Sequence, residues 1–176
     1  MKKVGVLNIR IKRKSFWILI LIVLAIICII GFKFYEYQTK TTDLSNENID
    51  HIYLLDNMES YETNHHFSIS QDVSHPGYKV YTIDENKRIT VKSGSHKNNV
   101  IYRIEAFDSN SKTSKNVSVG TSEKDLITAY GESYIERSSD QTDKVMEYVD
   151  RDKNILLSFF IYKNKVDGIN LEAKDF

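Results

Sequence analysis

Hydrophobic and polar positions divide the chain into one unbroken apolar run and a longer region of short alternating segments. Ser15 to Phe34 reads SFWILILIVLAIICIIGFKF, with no charge before Lys33. At about 1.5 Å per residue, roughly 20 apolar residues cross the hydrocarbon core of a bilayer, and a helix satisfies its own backbone there. The run predicts a transmembrane helix over 15–35, with Trp17 at one end and Phe34, Tyr35 and Tyr37 at the other as interfacial aromatics. A cleaved signal peptide would have an apolar stretch of about 7–15 residues and a small-x-small cleavage site. Here the stretch is longer, and Gly31 is the only small residue near its end. A lipoprotein signal fails as well, because Ile27 precedes Cys28. The reading is an uncleaved, single-pass signal anchor in the lipid bilayer.

Residues 36–49 are mostly polar and predict a short stalk. Beyond them, apolar positions recur at every second residue between turn-forming clusters, the mark of half-buried strands. In the second half, Ser122 and Asp125 form an approximate capping box. Leu126, Ile127 and Tyr130 then fall on one helical face, and Gly131 suits the position after the last turn. Three strands are predicted to follow, Val145–Val149, Ile155–Tyr162 and Lys165–Leu171, joined by hairpin-type turns. The first half predicts a helix over Asn57–Asn64 and strands Tyr78–Ile83, Arg88–Lys92 and Asn99–Phe107.

The two halves also share residues. Shifting Val80–Val100 by 66 positions aligns Asp84, Lys87, Ile89, Lys97, Asn98 and Val100 with identical residues in Met146–Val166. A shift of 65 places Leu54 on Val119 and Asp56-Asn57 on Thr121-Ser122. The expected class is α+β: a transmembrane helix, then two tandem α-β-β-β repeats, 50–110 and 111–176, with antiparallel sheet.

The run Val117-x-Val119-Gly120-Thr121-Ser122-x-x-Asp125-Leu126-x-x-x-Tyr130-Gly131, followed by three strands, resembles the β-lactamase-inhibitor-protein-like group. That group includes tandem helix-plus-sheet inhibitors and small outer-membrane-assembly lipoproteins. The resemblance covers Val117–Leu171, and the first half only through the repeat, since that half has no matching glycine. It implies a fold and a binding role, with no target carried over.

Charge sharpens the picture. The 24 Lys+Arg and 24 Asp+Glu cancel overall. Residues 1–14 nevertheless hold six basic side chains and no acid, so the positive-inside rule places this tail in the cytoplasm and the region after the helix outside. That region is left acidic, which argues against a nucleic-acid partner. With Cys28 the only cysteine, it forms no disulfide. Few cysteines, Lys/Asn/Ile-rich usage and no lipobox suit a bacterial, Gram-positive cell envelope.

Candidate chemistry is sparse. Zinc-protease, serine acyl-transfer and phosphate-cradling motifs do not occur. Asp150-x-Asp152-x-Asn154 begins like a calcium loop, but Ile155 and Ile161 stand where glycine and glutamate belong, so a polar turn is the better reading. Glu47, Glu59, Glu62, Glu132, Glu136 and Asp140 read as surface carboxylates with no fixed partner. His51, His65, His66, His75 and His96 all fall in the first half without helical ligand spacing. No catalytic residue, metal ligand or cofactor is assigned.

One strand stands out. In Ile155–Tyr162, Ile155, Leu157, Phe159 and Ile161 form one face, while Leu156, Phe160 and Tyr162 make the other apolar too, interrupted by Ser158. The first half has Thr90, Lys92, Gly94 and His96 at the matching places. Leu156, Phe160 and Tyr162 are therefore the candidate partner-binding residues. The function expected is a non-enzymatic binding module for another envelope protein or a wall polymer. An envelope enzyme or metal-dependent sensor using His65, His66 and His75 is the alternative.

Overall fold

The computed structural model describes residues 13–62, 68–75, 77–83, 87–94 and 97–174, and the chain divides into two compact units after Thr39. The first unit is helix α1 (Arg13–Thr39), 27 residues long. Its stretch Trp17–Tyr35 is long and apolar enough to cross a bilayer. Large side chains such as Trp17, Leu21, Ile29 and Phe32 lie exposed along it. A helix that is apolar on all sides is at home in an apolar surrounding.

The second unit is α+β and antiparallel. A two-residue hairpin, β1 (Asn48–Ile49) and β2 (Ile52–Tyr53), leads to the single-turn helix α2 (Glu59–Glu62). Four strands follow: β3 (Ser68–His75), β4 (Tyr78–Ile83), β5 (Lys87–Gly94) and β6 (Lys97–Ala106). Helix α3 (Glu123–Tyr130) then precedes β7 (Ile135–Arg137), β8 (Lys144–Asp150), β9 (Ile155–Tyr162) and β10 (Lys165–Ala173). All eight later strands form one sheet in the order β3-β4-β5-β6-β10-β9-β8-β7. Each half is thus a short helix followed by a four-stranded meander, and the meanders join through their last strands, with Ala106 opposite Ile169 and Arg103 opposite Glu172. Each half has one strand more than its hydrophobic pattern predicts. The additional strands β3 and β7 are the outermost pair; β7 has three residues and β3 is mostly polar, so neither shows a long apolar alternation.

α3 forms where the pattern places it. Ser122 Oγ accepts the Asp125 N–H at 3.1 Å, and Gly131, at φ 84°, donates its N–H to Ile127 O. The helix packs Leu126 and Tyr130 onto one face of the sheet. Ile104, Met146, Tyr148, Leu157, Phe159, Ile169 and Leu171 supply the sheet side of that core, and Leu44, Ile49, Ile52 and Met58 close it. In the first half α2 is described over Glu59–Glu62 and starts two residues after the expected Asn57; residues 63–64 of the expected helix lie outside the described residues.

Residues 36–49 are not a free stalk. α1 continues to Thr39, and residues 40–49 pack against the sheet unit. Thr42 N–H donates to Val149 O at 2.8 Å and Leu44 N–H to the Asp150 carboxylate at 3.0 Å, with the Leu44 side chain buried. Beyond the short β7, Thr42 thereby takes up part of the outer edge of β8. A mostly polar segment docks here because backbone hydrogen bonds, the buried Glu47 and the separate side chains of Leu44 and Ile49 hold it, with no continuous apolar face.

The halves repeat a set of backbone contacts at a constant separation of 65 positions. Leu55 N–H donates to Ile101 O, and Gly120 N–H to Val166 O. Ile101 N–H reaches Asp56 O, and Val166 N–H reaches Thr121 O. Met58 N–H reaches Asn99 O, and Glu123 N–H reaches Asn164 O. Left-handed backbone coincides too, at Asn99 (φ 55°) with Asn164 (φ 58°) and at Leu55 (φ 67°) with Gly120 (φ 92°). Glycine adopts this conformation freely, whereas leucine is strained there by about 1–2 kcal/mol.

Candidate functional site

Strand alternation and register determine which side chains share the sheet face opposite the helices. Over the second half these are Val145, Glu147 and Val149 of β8, Leu156, Ser158, Phe160 and Tyr162 of β9, Gly168, Asn170 and Glu172 of β10, and Arg103 and Glu105 of β6. Among the described residues, α2, α3 and the β1–β2 hairpin all pack on the other face, within the core cluster. Among the described residues of the sheet unit, this second face carries no layer of secondary structure.

The three candidate residues separate by exposure. Tyr162 is 45% exposed and Phe160 half-buried, whereas Leu156, between its register partners Val149 and Glu172, is 4% exposed. Leu156 therefore belongs to the sheet's own packing, and the accessible apolar surface begins at Phe160. Phe107, which the strand pattern of β9 alone did not identify, joins it. It follows Ala106 at the end of β6 with the parity of Arg103 and Glu105, and is 42% exposed. A Cβ added at Gly168 would lie 3.1 Å from the Phe107 ring and 3.3 Å from Phe160, so both rings meet over the glycine. Glycine here permits the close approach of two aromatic side chains.

Charged pairs frame this apolar centre. Arg103 and Glu172 pair at 2.7 Å, and Arg137 pairs with Glu147. Lys163 stands 4.9 Å from the centre of the Tyr162 ring, a cation–π contact at the rim. Arg103 Nε and Asn170 Oδ1 are buried without a hydrogen-bond partner among the described residues. Aromatic and arginine side chains on an uncovered face, rimmed by charge, have the composition of a protein-docking surface.

The other candidates fall elsewhere. The Asp150 carboxylate accepts the N–H groups of Leu44, Asp152 and Lys153 at 2.9–3.1 Å, which makes it a turn-forming group. His51 is exposed in the β1–β2 turn; His65, His66 and His96 lie outside the described residues, as does the side chain of His75. Among the carboxylates, Glu59, Glu132, Glu136 and Asp140 are exposed, while Glu62 lies where only the backbone is described. Glu47 is the exception. It is 6% exposed and accepts the Ser114 N–H at 2.9 Å, the Asn48 N–H at 3.2 Å and the Tyr130 hydroxyl at 2.9 Å.

Burial, and then the Glu47 charge, hold the Tyr130 hydroxyl well above its ordinary range; burial does the same for Tyr148. Tyr61 is pushed up to about 12 by burial and by its hydrogen bond to Asp56. A phenol whose folded pKa is raised contributes stability that is complete below its unfolded value of about 10 and is lost as pH rises through the folded value. The melting temperature of the sheet unit is therefore expected to hold level through neutral pH and to fall above about pH 10. Tyr130→Phe should flatten that fall, as a thermal-melt series against pH would show. No protein-family model matches the chain, and no curated protein or solved structure resembles it at a significant level.

Proposed function

We propose that this chain is a membrane-anchored, non-enzymatic binding module of a bacterial cell envelope, which docks another envelope protein or a wall component through the open face of its sheet. The basic tail faces the cytoplasm, Trp17–Tyr35 spans the bilayer, and the sheet unit stands outside. The sheet unit is a tandem duplication, a reading supported by the hydrogen bonds that recur 65 positions apart. A duplicated helix-plus-sheet unit with one uncovered sheet face is also what the resemblance to the β-lactamase-inhibitor-protein-like group implies.

One observation carries the docking role. The rings of Phe107 and Phe160 meet over Gly168 on the uncovered face, beside the exposed Tyr162. Nothing in the unit's own packing requires two aromatic rings on that face, because the core is complete on the other. Buried aromatic anchors inside a charged rim are the usual energetic centre of a protein interface.

The test is in-membrane crosslinking of the full-length chain, with captured partners identified by mass spectrometry. A Phe160→Asp, Tyr162→Asp variant should keep its circular dichroism spectrum, because neither side chain belongs to the core, and should lose the parent's specific partner. Capture of the same set by a folded variant contradicts the docking role. Leu156 is unsuited to this purpose, since an aspartate there would be buried without a partner and would unfold the sheet.

A further inference from the structure

We infer that the segment from Asp50 to Leu55 is a second docking element: a preformed apolar knuckle that seats Tyr53 and Leu55 in an apolar, cation-rimmed pocket of another protein. Leu55 carries the argument. Of the eight described non-glycine residues with left-handed φ, seven are asparagine, aspartate, histidine or lysine, and Leu55 at φ 67° is the only apolar one. Asparagine, aspartate and histidine are the types most often found in this region, and a branched apolar residue there is an outlier. The corresponding place in the second half, with the same backbone hydrogen bond, holds Gly120 at φ 92°. The fold itself is thus satisfied there by glycine.

Packing does not offset the strain. Leu55 is 44% exposed and Tyr53 39%, while Ile52 is fully buried and Leu54 packs against the core. The neighbours on either side supply the apolar contact of this segment, and Leu55 and Tyr53 turn outward. A strained residue that the surrounding structure does not need points to a contact beyond the chain.

The knuckle is also held in shape. The Tyr61 hydroxyl accepts the Tyr53 N–H at 3.3 Å and donates to the Asp56 carboxylate. Asp50 exchanges hydrogen bonds with the Lys112 backbone at 2.9 and 2.8 Å and pairs with Lys87. A loop fixed before it binds loses little further freedom on docking. Charge narrows the occupant. Ile49 to Glu62 contains no lysine or arginine; Asp50 is neutralised by Lys87, and the Asp56 and Glu59 residues beside the knuckle are exposed. These two exposed carboxylates match a cationic rim on a protein and are repelled by anionic lipid.

Two measurements on the full-length chain test this, and neither depends on the open sheet face. The first is thermal stability in detergent. Leu55→Gly should raise the melting temperature of the sheet unit by about 3–5 °C, and Gly120→Leu should lower it by a similar amount, since the space around Gly120 is open and the backbone angle alone decides. The second places a photo-crosslinking amino acid at Tyr53 in native membranes. A discrete protein adduct is expected that weakens in high salt and disappears in the Leu55→Gly background. A Leu55→Gly variant that melts lower overturns the inference, because Leu55 then serves its own fold. So does an adduct that persists without Leu55, the absence of any adduct, or crosslinking to lipid alone.

Discussion

Replacing Phe159 by alanine is expected to leave the sheet unit at or beyond the edge of folding. Phe159 is fully buried on the core face of β9, between Met146 of β8 and Ile169 of β10. Its ring lies 5.3 Å from that of Tyr130 and 6.0 Å from that of Tyr148, so it joins α3 to the centre of the sheet. Truncating a buried phenylalanine costs about 3–5 kcal/mol, against the roughly 5–15 kcal/mol that hold a domain together. Urea unfolding should show the midpoint falling sharply with little change in slope. Phe160, the next residue, supplies the internal control. It points to the uncovered face, and Phe160→Ala should cost no more than about 1.5 kcal/mol. Equal losses at 159 and 160 would mean that both faces of the sheet are packed.

Removal of the Glu47 carboxylate is the second large effect. Glu47→Ala removes the acceptor of the Asn48 N–H and the Tyr130 hydroxyl, both buried, and of the partly buried Ser114 N–H. Orphaned buried donors cost about 1–3 kcal/mol each without adding fully, so a loss of about 3–4 kcal/mol is expected. Glu47→Gln keeps the shape and the oxygen that accepts from Ser114 and Asn48. It loses the charge and faces its N–H₂ to the Tyr130 hydroxyl, which must turn to accept, and should lose no more than about half as much. The damage should begin locally. Glu47 ties residues 40–50 to the segment between the halves, where Ile49 bridges Thr113, and to the end of α3. Hydrogen exchange should therefore rise first at Thr42 and Leu44, whose N–H groups bond to Val149 and Asp150. A Glu47→Ala, Tyr130→Phe double variant less damaged than the sum of the singles would confirm that the two groups act together. Full additivity would place Tyr130 in another role.

Glu47 also shows where the sequence stops being legible. Its partners Ser114 and Tyr130 lie 67 and 83 positions away, so no local pattern distinguishes it from the exposed Glu59 or Glu132. The same distance effect hid the docking of Leu44 onto β8, and with it the true end of the expected stalk. What was legible rests on local chemistry. Ser122 and Gly131 mark the ends of α3, and the Ile155–Tyr162 alternation marks β9 to the residue. β10 runs two residues past the expected Leu171, because Glu172 and Ala173 pair with Leu156 and Ile155 across the sheet. The candidate surface was half legible. Alternation within β9 placed Phe160 and Tyr162 on the face away from the core. It could not tell that Leu156 is closed in by neighbouring strands, nor that Phe107 is brought across by the β6–β10 pairing. Burial within one sheet face depends on register, which periodicity alone does not supply.

In the proposed function the open sheet face stands outside the membrane and is covered there by a partner. Labelling of Tyr162→Cys with a membrane-impermeant maleimide, in intact cells and in the purified full-length chain, tests it most directly. Asp152→Cys, exposed at the opposite end of β9, serves as the reference position. Position 152 is expected to label at similar rates in cells and in the purified chain, and position 162 to label at least several-fold more slowly in cells and to recover on purification. Equal labelling of both positions in cells would leave the face vacant and contradict the docking role; failure of both to label would place the sheet unit on the other side of the membrane.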